Sequence, residues 1–331
     1  MESVRMPAGI RLSRSVATVL AALLLAACNA PHDNPLDPAL GGNLEGRVLN
    51  RRATGIENAV VTLPAAGRFC HTDSSGDFVL SGLPEGSFVL SIDAAGYAPE
   101  TAVLVFRKGR IDTLTRSLNG LPNFTDSRVT SHVYGQGWPP EPLHFFRLTA
   151  SATDTDGDTD IDSVWAEIAE LEISERLTFD PEEGHFRTTL WSNSVPGQNP
   201  ETMVGQNVEF NVVDIEGAHT VGPECSLSRI IHELPTAVFP AGGVDTVRSD
   251  TMLVWNRFRS GYRVAYQGEV VRIEGGGSAG VVLSFETGEP NDTTFRLDAS
   301  KLPTGDYYWT IEAIDGFGNS SRSQEERFHA D

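Results

Sequence analysis

The first folded part of the chain is set by the stretch Thr72-Asp-Ser-Ser-Gly-Asp-Phe78, which is followed by Leu83-Pro-Glu-Gly-Ser-Phe-Val-Leu90. The Asp-Ser-Ser-Gly run is typical of a tight turn between two strands, in which Gly76 is free to adopt a positive φ. Leu-Pro-Glu-Gly predicts a second tight turn. Apolar residues then return at every second position, which is the spacing of a strand with one buried face. The stretch therefore predicts successive antiparallel strands that cover a core.

The same region carries three further landmarks. They are Leu44-Glu-Gly-Arg-Val-Leu49, Gly55-Ile-Glu-Asn-Ala-Val-Val-Thr-Leu63 and Ala95-Gly-Tyr97. Together with the two turns they resemble the carboxypeptidase regulatory-like domain, a seven-stranded sandwich of the transthyretin type. Ser87-Phe88 departs from the Gly-Tyr that is usual in that family, although the aromatic ring is kept. The resemblance implies an accessory module over residues 44–118 without catalytic residues, and related folds bind starch.

The rest of the chain also favours strands over helices. Short runs rich in Val, Leu, Phe, Thr and Ile alternate with Gly, Pro, Asn and Asp about every 8–12 residues, which is typical of β-sandwiches. A helical period fits residues 164–177 almost as well. Because Val164, Ala166 and Ile168 alternate with the residues between them, we predict a strand over residues 162–170.

Two further modules follow from their turns. Asp214-Ile-Glu-Gly-Ala-His-Thr220 resembles the Asp-x-x-Gly turn before the last strand of bacterial immunoglobulin-like modules. Trp255, the corner Leu302-Pro-Thr-Gly-Asp-Tyr307 and the hairpin turn Asp315–Asn319 resemble a fibronectin type III module, in which Trp255 is expected to fill the core.

The sequence thus predicts an all-β protein of three tandem β-sandwich domains. They are expected at residues 44–118 (carboxypeptidase regulatory-like), 119–234 (immunoglobulin-like) and 235–331 (fibronectin type III-like). A signal peptide is expected at residues 1–27, and a flexible linker at residues 28–43, which are rich in Pro, Gly, Asn and Asp.

The first 28 residues predict the location of the protein in the cell. Basic residues precede the apolar run Val16–Ala27, which is too short for the roughly 20 residues of a transmembrane helix and is typical of a secretory signal. Leu25-Ala-Ala-Cys28 resembles the lipobox of bacterial lipoproteins. The resemblance implies that Cys28 becomes the first mature residue and carries lipid, and that Asn29 directs the protein to the outer membrane.

The amino-acid composition limits the classes of partner that this chain is expected to bind. The 331 residues carry a formal charge of −20, which argues against nucleic acid and against electrostatic binding to anionic lipid. The expected contacts are the membrane, through the lipid at Cys28, and a polysaccharide or another envelope protein. The acidity is also compatible with divalent cations.

One acidic run predicts a metal site. In Asp154-Thr-Asp-Gly-Asp-Thr-Asp-Ile-Asp162 the carboxylates stand at alternate positions and repel one another unless they are solvated or neutralised. Since Ca²⁺ binds six to eight oxygens, Asp154, Asp156, Asp158 and Asp160 are its predicted ligands. The alternative is a solvent-exposed loop without metal. The run is not an EF-hand, because Thr159 stands where that loop requires Gly.

Three enzyme signatures, in two stretches of the sequence, are matched only in part. Gly275-Gly-Gly-Ser-Ala-Gly280 matches the nucleophile elbow around Ser278 and the dinucleotide loop, but a predicted strand follows it where both sites need a helix. His232-Glu-Leu-Pro235 begins like a zinc protease motif, but it lacks the second His, and Pro235 would break the helix. We therefore expect no enzymatic activity.

The predicted role is structural, adhesive or binding. The alternatives are a carbohydrate-binding surface lipoprotein and an accessory subunit of a secreted hydrolase. Trp138 and Trp191 are candidates for stacking on sugar rings, or else pack at a domain junction. Cys70 and Cys225 are left open as a disulfide or as two thiols.

Overall fold

The computed structural model describes residues 41–137, 139–243, 245–248, 250–275, 277–287 and 291–331. Across these residues the regular structure consists of β-strands and short 3₁₀ turns. They form two compact units, of which the first ends at Leu118 and the second runs from Asn119 to Asp331. No helix in these ranges is long and apolar enough to cross a bilayer. The predicted signal peptide, Cys28 and Trp138 lie outside the described residues.

The described part of the first unit has seven strands: β1 (Gly42–Leu49), β2 (Val60–Leu63), β3 (Arg68–His71), β4 (Asp77–Leu83), β5 (Gly86–Asp93), β6 (Glu100–Phe106) and β7 (Ile111–Ser117). They make a three-stranded sheet in the order β4-β1-β7 and a four-stranded sheet in the order β3-β2-β5-β6. All neighbours are antiparallel except β1 and β7. The predicted seven-stranded sandwich is confirmed.

The first unit is held by side chains from alternate strand positions. Phe78, Leu80, Leu90 and Ile92 are all at most 4% exposed, so the predicted alternation after both turns is confirmed. Gly46 is required beneath the Phe78 ring, because a Cβ atom there would lie 2.5 Å from Cζ of that ring.

The described part of the second unit has 17 strands: β8 (Pro122–Tyr134), β9 (Leu143–Asp154), β10 (Ile161–Ile168), β11 (Ile173–Asp180), β12 (His185–Trp191), β13 (Asn207–Asp214), β14 (His219–Val221), β15 (Cys225–Ser226), β16 (Ala237–Phe239), β17 (Thr246–Val247), β18 (Asp250–Trp255), β19 (Val264–Glu274), β20 (Gly277–Thr287), β21 (Thr294–Asp298), β22 (Gly305–Asp315), β23 (Ser320–Arg322) and β24 (Glu326–Ala330). The 3₁₀ turns of the described chain are Pro64–Ala66, Asp158–Asp160, Ala169–Leu171, Ser192–Ser194, Pro196–Gln198, Pro200–Met203 and Ala299–Lys301.

The stretch that fitted both periods is a strand. It spans Ile161–Ile168 and ends in the 3₁₀ turn Ala169–Leu171. Val164, Ala166 and Ile168 are at most 1% exposed, so their common face lies in the core. A strand with one buried face places alternate residues inside, as found here.

A continuous sheet joins the two halves of the second unit. It contains 14 of the described strands and runs β14-β13-β10-β11-β12-β9-β8-β23-β22-β19-β20, with β15, β17 and β24 paired alongside. A second sheet has the order β16-β18-β21. The join is the parallel pairing of β8 with β23, which sets His132 opposite Ser320 and Tyr134 opposite Arg322.

The second unit nevertheless has two separate hydrophobic cores. One core includes Val164, Phe210 and Val212, and the other includes Trp255, Tyr266 and Trp309. The expected core position of Trp255 is confirmed, since its side chain is 1% exposed. Because both cores lie in one compact unit, the division into separate domains at residues 119–234 and 235–331 stays a prediction.

The predicted corner before β22 is closed by a tyrosine hydroxyl. Tyr307 is fully buried, and its hydroxyl donates a hydrogen bond of 2.7 Å to the backbone oxygen of Pro303. The ring stacks on Phe328 at a centroid distance of 5.5 Å. The hydroxyl therefore fixes the entry to β22, while the ring fills the core.

Removing that hydroxyl tests the corner. Tyr307→Phe leaves the ring in place but leaves the Pro303 oxygen without this donor, so the free energy of unfolding should fall by about 1 kcal/mol. Urea unfolding of the full chain measures the loss. Tyr308→Phe is the matched control, because the neighbouring hydroxyl has no hydrogen-bond partner among the described residues. Equal effects of the two changes would contradict the role given to Tyr307.

The sheet junction contains a buried histidine. The His132 ring lies between the Ser320 hydroxyl, 2.7 Å from Nδ1, and the Thr130 hydroxyl, 2.9 Å from Nε2. Burial, with a smaller contribution from the Arg147 charge, lowers the pKa of His132 to about 3. The imidazole therefore stays neutral in the folded chain at mildly acidic pH.

This lowered pKa predicts a pH-dependent stability. Between pH of about 3 and 6.5 the unfolded chain protonates this residue and the folded chain does not, so its contribution is complete above about pH 6.5 and is lost as the pH falls. Urea unfolding at several pH values should show a shallower decline for His132→Gln than for the natural chain. Parallel pH curves would show that the His132 pKa is not lowered.

Candidate functional site

One turn occurs three times in the described part of the chain. It is built from Asp73–Asp77, Asp214–Ala218 and Asp315–Asn319. In each copy the fourth residue is a glycine with positive φ, and its backbone N–H donates to the oxygen of the aspartate backbone. The fifth N–H donates to Oδ1 of the aspartate, at 2.9, 2.7 and 3.0 Å in chain order. Each aspartate therefore uses one carboxylate oxygen to hold its own turn.

The second carboxylate oxygen differs between the two buried copies. Asp315 is 6% exposed, and its Oδ2 accepts from Asn319 Nδ2 at 3.1 Å and lies 3.4 Å from Arg229 Nε. Asp214 is 2% exposed, and its Oδ2 accepts from Asn119 Nδ2 at 2.5 Å. The charge of Asp315 is thus neutralised by a guanidinium, whereas Asp214 has no ion pair with a cationic side chain in the described chain.

Other carboxylates surround Asp214 instead. Oxygens of Asp160, Asp214 and Glu216 lie within 4.8 Å of one another, and so do oxygens of Asp154, Asp156 and Asp160. Asp160 belongs to both groups, so the five residues form one set, which we call the acidic cluster. Three of the four predicted calcium ligands are therefore brought together. The fourth, Asp158, is exposed and belongs to neither group.

Backbone pairing positions the acidic cluster. Strand β9 ends at Asp154, and the loop then makes a 3₁₀ turn over Asp158–Asp160 before β10 begins. The backbone oxygen of Asp160 accepts from the N–H of Ile215 at 2.9 Å. This bond ties the loop to the Asp-x-x-Gly turn, because β10 and β13 are antiparallel neighbours.

The acidic cluster contains oxygens without partners. Asp154 is 8% exposed, and its Oδ1 accepts from the N–H of Asp156 at 2.7 Å. Its Oδ2 is buried and has no hydrogen-bond partner within the described chain, and the same holds for Asp160 Oδ2 and Asn119 Oδ1. Burial first, and then the charges of Asp160, Asp156 and Asp214, raise the pKa of Asp154.

Gly120 closes the acidic cluster on another side. Its N–H donates to Asp156 Oδ2 at 2.5 Å. A Cβ atom at this position would lie 2.9 Å from Asp154 Oδ1 and 3.0 Å from Asp156 Oδ2. Only glycine lets the backbone approach the carboxylates this closely.

Sequence reasoning missed part of this set. The sequence marks Asp214 only as a turn residue and gives no separate indication for Asn119 or Glu216. Asp214 and Glu216 lie more than 50 positions after the Asp-rich run and meet it through the pairing of β10 with β13, whereas Asn119 precedes the run by 35 positions. The feature that Asp154 and Asp214 share is that each ends a strand.

The residues of the two enzyme-like motifs lie in a strand and in a connecting segment of the structure. Ser278 lies exposed in β20 opposite Ile273, and the described residues after it continue as a strand, so the helix required by a nucleophile elbow is not there. His232 precedes the strands of the second core, and its Nε2 contacts Oε1 of Glu201. Pro235 follows it outside any helix.

An aromatic row lies on the outer side of β12, β9 and β8. Trp191 is 46% exposed and lies 5.2 Å from Phe145, which stacks on His132 at 5.0 Å. Tyr134 meets Phe145 edge-on at 4.9 Å and is covered by the guanidinium of Arg322 at 4.0 Å. Trp191 is the accessible end of this row.

The two described cysteines are free thiols. Cys70 and Cys225 are both half-buried. Burial raises the pKa of Cys70, and that of Cys225 to about 11. Since the thiolate is the reactive form, neither residue is a candidate nucleophile.

Comparisons with known proteins bear mainly on the first unit. Residues 43–119 match the model of the carboxypeptidase regulatory-like domain. No curated protein matches the chain. Among solved structures, BcpA, the major pilin subunit of Bacillus cereus, is 8% identical with a TM-score of 0.31, over 85% of this chain and 91% of that one. The chicken CNTN1 FN1–FN3 domains are 13% identical with a TM-score of 0.29, over 84% and 92%.

The fibronectin(III)-like modules of Clostridium thermocellum CbhA are 12% identical with a TM-score of 0.28, over 63% of this chain and 93% of that one. At such low identities and TM-scores, none of these structures indicates a ligand or partner for this chain. The family match is therefore the specific result, and it shows that residues 43–119 are similar to the carboxypeptidase regulatory-like domain.

Proposed function

We propose that this chain is a lipid-anchored cell-envelope protein, attached at the outer membrane through Cys28, with a non-enzymatic structural, adhesive or binding role. The anchoring is supported by Leu25-Ala-Ala-Cys28 after a short apolar run. Two or three acyl chains on one residue provide a firm anchor, since each buried CH₂ contributes about 0.8 kcal/mol.

The non-enzymatic role is supported by what the reactive-looking residues do. Ser278 is part of a hairpin, His232 contacts Glu201, and the described thiols have raised pKa values. Nucleophilic catalysis needs a base within hydrogen-bond reach of the nucleophile and a third group that orients the base. None of these residues has such partners in the described chain.

A surface of the first unit supports a binding role. The outer face of the four-stranded sheet exposes Val89, Val103 and Val105 on β5 and β6, and Phe69 on β3, each at least 53% exposed. Val89 lies opposite Val103, and neighbouring apolar side chains on an exposed sheet face are typical of contact surfaces. The observation that carries the whole proposal is nevertheless the cysteine after the apolar run.

Removing the predicted acylation site tests the anchor. In cells fed radiolabelled palmitate, the natural chain should incorporate label and fractionate with the outer membrane. Cys28→Ser should lose both, because serine offers no thiol for acylation. Cys70→Ser is the control and should keep both. Label retained in Cys28→Ser, or a mature amino terminus elsewhere, would contradict the proposal.

Carbohydrate binding is the second candidate, and Trp191 is the observation that favours it. Nearly half of this side chain is accessible, and Phe145 supports it from one side. Arg147 and Thr189 lie opposite one another on the adjacent strands and supply polar groups beside it. A rigid ring with polar neighbours suits a sugar, which has both apolar faces and hydroxyl edges.

Truncating this ring tests the second candidate. Envelope and plant polysaccharides should quench the tryptophan fluorescence of the natural chain, and Trp191→Ala should bind at least about tenfold more weakly. Phe179→Ala, which removes another exposed ring from a neighbouring part of the sheet, should bind as the natural chain does. Affinity electrophoresis measures all three. Equal binding by Trp191→Ala and the natural chain would exclude the role given to Trp191.

A further inference from the structure

We propose that the acidic cluster is a calcium site that binds one Ca²⁺ within the second unit. Its ligands are the carboxylates of Asp154, Asp156, Asp160, Asp214 and Glu216 and the amide oxygen of Asn119. The proposal does not depend on the lipid anchor or on the binding role above.

Buried oxygens without partners are the first observation for it. Asp154 is more than nine-tenths buried, and its Oδ2 has no hydrogen-bond partner among the described residues. Asp160 Oδ2 and Asn119 Oδ1 are buried in the same way. An ionised carboxylate costs a large free energy to bury unless it is paired or binds a metal ion. A cation bound at these oxygens would supply the partner that they lack.

The two buried turns provide an internal comparison. Asp214 and Asp315 occupy the same position in the same turn, and Oδ1 of each accepts a hydrogen bond from the backbone of that turn. Beside Asp315 the protein places the guanidinium of Arg229. Beside Asp214 it places oxygens of Asp160 and Glu216. The copy at Asp214 therefore has neighbouring carboxylates where the copy at Asp315 has a guanidinium, and a bound cation would reduce their mutual repulsion.

The donor atoms select the kind of cation. All six proposed ligands are oxygens, and neither acidic group includes a histidine or cysteine, so a hard cation is favoured over zinc or copper. The ligands come from three separate segments, at residues 119, 154–160 and 214–216. Many oxygens in an irregular arrangement suit the six to eight ligands of Ca²⁺, whereas Mg²⁺ requires a near-ideal octahedron and retains several waters.

The ion would add a further link between segments that are distant in sequence. The loop after β9 contacts the turn after β13 through the bond from Ile215 to Asp160. Asn119 and Gly120 reach the same place through one bond each, to Asp214 and Asp156. Binding to the folded state alone stabilises it, so Ca²⁺ should raise the melting temperature of the second unit.

Direct binding tests the proposal. The full chain is purified in detergent, stripped with EDTA and titrated with CaCl₂ by calorimetry, with equilibrium dialysis to count the bound ions. One Ca²⁺ per chain is expected, together with a rise in melting temperature that NaCl of equal ionic strength does not reproduce. Asp154→Asn and Asp160→Asn should each weaken the affinity by about tenfold or more.

Asp158→Asn is the matched control. It removes the same charge from the same loop, but Asp158 is exposed and belongs to neither acidic group, so affinity should be unchanged. Loss of binding in Asp158→Asn equal to that in Asp154→Asn would show that the loop binds calcium only as a diffuse acidic surface, and would overturn the site. No bound Ca²⁺ at millimolar concentration would overturn it too, as would tighter binding of Mg²⁺ than of Ca²⁺.

The sign of the stability change gives a second readout that does not depend on measured affinity. In EDTA, Asp154→Asn and Asp160→Asn should raise the melting temperature, because each removes a charge that repels its neighbours. In CaCl₂ the same variants should melt below the natural chain, because each has lost a ligand. A variant that melts lower under both conditions would show that its carboxylate stabilises the fold without a metal, which contradicts the proposal.

Discussion

The contacts between distant segments of the second unit depend on buried carboxylates whose charge must be balanced. The Asp-x-x-Gly turn requires an acceptor at its first residue, and aspartate supplies it with one oxygen. In an exposed turn the other oxygen faces water. At Asp214 and Asp315 the turn is buried, so the second oxygen needs a partner from elsewhere in the chain. Asp214 and Asp315 obtain different partners for this oxygen, namely Asn119 and Arg229, and each partner comes from a segment that is distant in sequence.

At Asp315 the solution joins the two cores. Arg229 comes from the segment after β15, and Asn319, held by the turn, accepts from the N–H of Ser131 at 3.0 Å. The Ser131 hydroxyl in turn donates to the backbone oxygen of Arg229 at 2.9 Å. These contacts lie beside the pairing of β8 with β23, so a polar network and a sheet seam coincide. This is why residues 119–331 form one compact unit in spite of their two hydrophobic cores.

Local patterns in the sequence predicted local structure well. The turn at Asp73–Asp77, the tyrosine corner at Tyr307 and the buried Trp255 each depend on a few neighbouring residues with strong preferences. The strand at Ile161–Ile168 was harder, because its short apolar period fits a helix almost as well. Its partners β11 and β13 decide the outcome, and no local pattern indicates them.

The acidic cluster shows the same limit. Alternation along the loop put Asp154, Asp156, Asp158 and Asp160 into one predicted set, as if the loop were a flat strand. The 3₁₀ turn over Asp158–Asp160 breaks that alternation, which leaves Asp158 exposed. The remaining members come from the paired strand β13, which sequence spacing cannot reveal. Cys28 is the opposite case, because its predicted acylation depends on the residues just before it in the sequence and not on the fold.

Anomalous diffraction from crystals grown with calcium tests the balance of charge at Asp214 most directly. The predicted result is one anomalous peak in the second unit, at about 2.3–2.6 Å from oxygens of Asp154, Asp160 and Asp214. The opposite result is an ordered cluster without such a peak, in which water or a basic side chain meets the buried oxygens. That result would show that the protein balances these carboxylates by itself.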